Sequence, residues 1–256
     1  MSKQLGVSTK LVQFYYEAKG NKWFRYFTVF CRVALALAFI ISGIVKIKGE
    51  RFAAGLPSNN PMGHYFDALL QTGYYYTFLG VSQVIIALLL LIPRTALLGA
   101  LMYFPIILNI CILAYALRFE GTRVTTFMVM ANLYLLCWDF GRIKYILPFK
   151  QGKEEGYLAR GKPLSNKFPF VFFGFVFAML AAVIVINVYL YEIRPGNSQE
   201  ECTNGCLDSK YPKACKKFCD CIYNQGRPLD SCLAEYNRAK ESERNDSLRR
   251  QLDIGK

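Results

Sequence analysis

The chain has 256 residues, 54% of them hydrophobic, and a formal net charge of +13. Its apolar residues gather into blocks of about 20, the length that crosses roughly 30 Å of hydrocarbon, which excludes an ordinary soluble domain. The excess charge sits in segments flanking those blocks, so it reports membrane topology and removes nucleic acid as a partner.

Residues 1–24 read as a cytoplasmic amphipathic arm. Leu11, Phe14, Tyr15 and Ala18 recur at helical spacing beside Lys10, Lys19 and Lys22, with Ser8 placed as a cap. Five membrane spans are then expected, at residues 27–47, 74–92, 96–117, 125–138 and 170–190, the fourth being short. No small-residue cleavage site follows the first block, so it reads as a retained span. Residues 1–25 carry five Lys/Arg, the segment 139–167 carries seven, and Arg94 joins them on the same side. That bias puts the N-terminus in the cytoplasm and, after five spans, the C-terminal tail outside a plasma (bacterial inner) membrane.

The first outer loop, residues 49–73, holds Pro57, Asn59, Asn60, Pro61 and the single histidine, His64. It is long enough to fold over the mouth of the bundle. Pro93-Arg94-Thr95 is too short to do anything but join two antiparallel neighbours. The Gly- and Pro-rich stretch 148–169 reads as a cytoplasmic linker between a four-helix bundle (25–147) and a lone fifth span (170–191).

Residues 192–236 contain six of the nine cysteines and few aliphatic residues. Such a segment needs cross-links to hold a fold, and an oxidising compartment supplies them. The spacing is Cys-x3-Cys, eight residues, Cys-x3-Cys-x-Cys, ten residues, Cys. Cysteines four apart share one face of a helix, so two antiparallel helices turned at Tyr211-Pro212 would pair outer with outer and inner with inner. That gives Cys202 to Cys219 and Cys206 to Cys215, leaving Cys221 for Cys232, one of the many connectivities six cysteines allow. Structural staples are favoured over a redox-active pair, for which Cys219-Asp220-Cys221 is the nearest motif. They are favoured equally over a metal site, whose usual ligand spacings are missing. Cys31, Cys111 and Cys137 fall in the spans, as buried apolar thiols. Residues 237–256 read as a polar segment, either a solvated helix or disordered. Asn245-Asp246-Ser247 would accept a glycan only in a eukaryotic secretory route.

Polar residues inside the spans mark candidate sites. Gln83, Asn109 and Asn132 fall near mid-membrane on successive spans, where they act either as interhelical hydrogen-bond glue or as a pocket for a small polar group such as a quinone carbonyl. Arg32 and Asp139 lie at one membrane edge, where an ion pair would neutralise both. Ser42, Gly43 and Lys46 precede His64 and Asp67 at the opposite rim. There is no phosphate loop, Ser/His/Asp set or intramembrane histidine pair.

The ordered residues Arg32, Ser42-Gly43-Ile44-Val45-Lys46, Gly80, Gln83, Pro93-Arg94-Thr95, Leu98-Gly99-Ala100-Leu101, Pro105 and Asn109 resemble the DoxX-like family of four-helix membrane proteins, over about residues 24–147. The resemblance implies a four-helix bundle, in a family that includes a thiosulfate:quinone oxidoreductase subunit and partners in membrane redox-stress complexes. Relatives often carry an acidic residue where this chain has Gln83. The fifth span and cysteine tail lie outside the pattern. The expected fold is therefore an all-α membrane protein, a DoxX-like four-helix bundle with a fifth span and a small disulfide-rich helical tail. The expected function is non-enzymatic: an accessory subunit docking other membrane or periplasmic proteins, with no firmly implied cofactor. The competing function is a quinone- or thiol-linked redox component, and a small transporter ranks third because broken helices and repeats are missing.

Overall fold

The computed structural model describes residues 15–146 and 165–254, and the described residues are helical apart from loops and one parallel bridge between Asn21 and Ser165. The expected linker falls outside them up to residue 164, as do Ser8, Lys10, Leu11 and Phe14 of the arm. Four helices are apolar and long enough to cross a membrane: α1 (Lys22–Ile47), α3 (Tyr74–Leu91), α4 (Ala96–Ala116) and α7 (Phe170–Tyr189). Between them lie α2 (Pro61–Leu70), α5 (Thr122–Trp138) and the short α6 (Phe140–Ile146). Three helices form the tail: α8 (Gln199–Gly205), α9 (Pro212–Tyr223) and α10 (Leu229–Ile254).

Local chemistry sets the ends. Asn21 accepts the Trp23 N–H at 2.9 Å, so α1 begins five residues before the apolar block does. Its other end closes with Gly49 in the left-handed region (φ 72°), where the Gly49 and Glu50 N–H groups return to the Lys46 and Val45 carbonyls. The same closure ends α4, but there the left-handed position is Arg118 (φ 53°). Pro105 inside α4 cannot donate to its preceding turn.

Helices α1, α3, α4 and α5 pack around Cys31, Leu35, Phe39, Ile86, Tyr103 and Leu135, with the Phe39 and Tyr103 rings stacked 3.7 Å apart. Helix α7 stands outside this core, and of its side chains only Asn187 is buried. It is held at its ends. At one, Asn21 Nδ2 donates to the Lys167 carbonyl at 2.8 Å, and Phe24 and Phe27 pack against Phe172 and Phe173. At the other, Asn187 Nδ2 donates to the Tyr115 hydroxyl at 3.3 Å. The end of the bundle bearing α8 to α10 is the tail end, and the opposite one is the arm end. Tyr15 of the arm reaches the junction of α5 and α6, where its hydroxyl donates to the Trp138 carbonyl (3.0 Å) and accepts from the Gly141 N–H (3.2 Å).

Helix α10 runs through residue 236, so of the two alternatives for the polar segment beyond it the helix is formed up to Ile254. The Glu243 carboxylate accepts from the Lys213 (3.4 Å) and Ala214 (3.0 Å) N–H groups at the start of α9, which Tyr211 leaves uncapped.

Candidate functional site

Five residues singled out by motif converge on one crossing. Gly43 of α1 faces Gly80 of α3 so closely that a Cβ on either would sit 2.7 Å from the other's carbonyl oxygen. Small residues at a crossing let backbones approach and bring polar neighbours into reach. Here Ser42 Oγ lies 3.3 Å from Gln83 Oε1, and the buried Lys46 ammonium donates to Ser42 Oγ (2.6 Å) and to the Ser42 carbonyl (3.1 Å). No carboxylate pairs with Lys46 among the described residues. Its ammonium also lies over the rings of Phe52 and Tyr76, 4.4 and 5.9 Å from their centroids.

Phe52 belongs to the loop over that crossing, and Tyr76 pins the loop by donating to the Glu50 carbonyl (2.9 Å) and accepting the Phe52 N–H (3.0 Å). Arg51 organises the rest. It pairs with Asp67 (2.6 Å) and donates to the Leu56 and Gly63 carbonyls at 2.5 and 2.9 Å. Asp67 thus serves Arg51 and not Lys46, and His64 is exposed over a shallow depression shared with Ser58, Asp67 and Gln71.

Above the loop lies the tail, bolted to the bundle by buried hydrogen bonds. Asn60 uses both ends of its amide. Oδ1 accepts from the Met62 (3.0 Å) and Gly63 (3.3 Å) N–H groups, capping α2, while Nδ2 donates to the Gly196 carbonyl (2.8 Å) and the Tyr223 hydroxyl (3.0 Å). Asn59 Nδ2 donates to the Tyr223 carbonyl at 2.7 Å. From the loop after α4, Arg118 donates to the Ile193 carbonyl (2.9 Å) and Glu120 pairs with Arg194 (3.6 Å), while Tyr191 donates to the Tyr115 carbonyl (2.8 Å). Both hairpin loops therefore grip the same connector, residues 191–196. Burial pushes the Tyr223 phenol above its ordinary value, opposed by the bond from Asn60, so it stays neutral and hydrogen-bonded. Tyr236, buried beside Glu192, is pushed up to about 12.

The tail cysteines are paired Cys202 with Cys219, Cys206 with Cys215, and Cys221 with Cys232, with Cα separations of 5.9, 5.5 and 5.6 Å. These are the pairs that facing helices favour. Cys219 and Cys221 belong to different bridges, so Cys219-Asp220-Cys221 is not a dithiol pair. Asp220 is instead held ionised, below its ordinary value, by the amides of Asn224 (2.7 Å) and Gln225 (2.8 Å). The sulfurs of Cys206, Cys215 and Cys219 lie within 4.8 Å of one another, but as half-cystines they offer no thiolate to a metal.

The other expected groupings are not assembled. Gln83 is buried against Ser42. Asn132 is fully buried and donates to the Ala100 carbonyl at 3.1 Å, while its Oδ1 has no partner among the described residues. Asn109 is exposed on the far side of α4 from buried Ile107 and Cys111. The three amides share a depth without sharing a face, so they form no common pocket. Arg32 makes no ion pair with Asp139 among the described residues. Its Nε and Nη2 donate to the Leu90 (2.8 Å) and Leu91 (3.0 Å) carbonyls at the C-terminus of α3, where unpaired carbonyls and the helix dipole attract a cation. Asp139 caps the end of α5, its carbonyl accepting from Arg142 and Ile143. Cys31 and Cys111 are buried, whereas Cys137 is an exposed thiol.

The uncharacterized protein YwoB of Bacillus subtilis (strain 168) is 33% identical to this chain over 125 residues, which cover 47% of the chain and 80% of YwoB. The chain belongs to the YwoB family. No family model matches it. No solved structure matches it either. The aligned length in this YwoB-family chain is less than half the sequence, so the kinship by itself assigns no role to the remainder.

Proposed function

We propose that this YwoB-family chain is an accessory subunit of a membrane complex. Its bundle, DoxX-like with α7 as a fifth span, fixes a disulfide-stapled helical platform in one orientation outside the membrane. The observation that carries the reading is the double grip on the tail and its connector: Asn59 and Asn60 from one loop, Arg118 and Glu120 from the other. A tail that only had to be displayed could hang on a flexible tether, whereas buried directional bonds fix an angle, which matters to a partner that reads a surface. The test is the size of the assembly in mild detergent, by native mass spectrometry, for wild type and Asn60→Ala. Wild type is expected in a hetero-complex that the variant leaves while staying membrane-inserted. Wild type that runs only as copies of itself sinks the reading.

The redox alternative keeps one specific support, a buried ammonium and the Gln83 amide at one crossing without an acidic partner. A quinone oxygen there would take the ammonium as donor. Solvent extraction of the purified protein decides it, since the alternative requires a co-purifying quinone that Lys46→Met loses.

A further inference from the structure

The three disulfides are not equivalent. Cys221–Cys232 stands apart, but the other two touch, with Cys206 Sγ 3.7 Å from Cys219 Sγ in a buried spot. All four cysteines are buried, but Cys206 and Cys219 have no exposed surface, while their partners Cys215 and Cys202 keep 5% each. We propose that these two bridges form one exchange unit, through which the platform oxidises a dithiol of a partner protein and emerges with a single internal disulfide, Cys206–Cys219.

Surface charge selects the point of entry. Cys215 is flanked by Lys213, Lys216 and Lys217, with Glu243 the carboxylate nearest its helix start, whereas Cys202 follows Glu200 and Glu201 directly. An incoming thiolate is anionic and is drawn to the lysines. It attacks Cys215 Sγ, forms a mixed disulfide and expels the Cys206 thiolate. That thiolate is buried against Cys219, the nearest sulfur still in a disulfide, and attacks it. The Cys206–Cys219 bond forms, the Cys219–Cys202 bond breaks, and Cys202 leaves as a thiolate that takes a proton. The second thiol of the incoming dithiol then attacks its own partner sulfur in the mixed disulfide and releases Cys215, which is also protonated. The dithiol has lost two electrons and two protons to become a disulfide, and the platform has gained both as the thiols of Cys202 and Cys215. A buried staple survives throughout, so the platform need not unfold to deliver oxidising equivalents. This goes beyond the accessory reading and does not depend on it.

The sulfur contact makes a prediction that simple reduction does not share: the two thiols released first come from different native bridges. The full-length protein in detergent, with Cys31, Cys111 and Cys137 blocked beforehand, is treated briefly with limiting dithiothreitol, quenched with acid, alkylated and peptide-mapped. The two-electron-reduced species is expected to carry label on Cys202 and Cys215, with Cys206 joined to Cys219 and Cys221 joined to Cys232. Label on a native pair, Cys206 with Cys215 or Cys202 with Cys219, overturns the proposal, as does first reduction of Cys221–Cys232. A second reading needs no reductant. In Cys215→Ser the remaining thiol should migrate, so the platform's free thiol maps to Cys202. A thiol that stays on Cys206 refutes the exchange.

Discussion

Asn60 separates two duties that a single substitution normally confounds. Asn60→Ala removes the cap of α2, worth about 1 kcal/mol, and two buried bonds to the tail, worth about 1 kcal/mol each. The cap energy falls on α2; the two tail bonds, about 2 kcal/mol together, raise the fraction of detached platform by roughly 30-fold. Asn60→Asp keeps the oxygen that caps α2 but points a second oxygen at the Gly196 carbonyl and the Tyr223 hydroxyl. At neutral pH it should loosen the tail at least as much as alanine does, while α2 stays formed. Burial beside a carbonyl raises that carboxyl's folded pKa above its unfolded value, and only the protonated form donates. Docking in this variant is therefore present below the ordinary carboxylate range and lost as pH rises through the raised value. Hydrogen exchange of the amides in residues 193–202, corrected for intrinsic rates and followed from about pH 5 to about pH 7.5, reads the detachment directly. Exchange in Asn60→Asp as slow as in wild type at neutral pH, or independent of pH after correction, would refute the donor assignment.

Three further outcomes follow from particular contacts. Arg118 occupies a left-handed position at a cost of about 1 kcal/mol that glycine would not bear. Arg118→Ala should lower thermal stability in detergent by about 1–2 kcal/mol through the lost bond to Ile193, and Arg118→Gly by less; the reverse order rules out the backbone argument. Gly43→Ala drives a methyl group toward the Gly80 carbonyl and Val84, and should destabilise the bundle by about 1–3 kcal/mol, visible in the melting temperature; an unchanged melt would mean the crossing is looser than its geometry. Tyr236 has a folded pKa raised to about 12, so its contribution to platform stability is complete below the unfolded value and is lost as pH rises between the two. An ultraviolet phenolate titration of wild type against Tyr236→Phe should show one late-ionising tyrosine disappear, and identical curves would contradict its burial.

The extent of the long apolar helices was legible in the sequence, and direction around a helix was not. The apolar blocks located the long helices to within a few residues, because hydrocarbon thickness is a one-dimensional constraint. Spans that are apolar on every side give no such signal for which face is inward. Asn109 was therefore placed at the same depth as Gln83 and Asn132 although α4 turns it away from them. Arg32 feels the charge of Asp139 without a salt bridge to it, and the helix-end carbonyls that hold it were not readable, because they belong to the backbone and leave no mark in the residue string. The cysteine pairs were readable because four-residue spacing on two facing helices restricts geometry more tightly than composition does. The grip of Asn59, Asn60 and Arg118 on the tail was not readable, because it joins residues up to 164 positions apart through ordinary loop chemistry. The one available signal was Asn-Asn-Pro in a loop too long for its span.

The fastening of α7 at both ends bears on how the protein is assembled. A helix that leans on its neighbours along its whole length can dock progressively, but this one has a buried lock at each tip and little between. Helix α1 therefore waits for α7 to complete its own N-terminal contacts, at Asn21 and Phe24. Once both tips are seated, the contacts at Asn21 and Asn187 join the two parts of the chain directly. Two polypeptides divided between residues 146 and 165 and co-expressed should find each other through those contacts and purify as one particle.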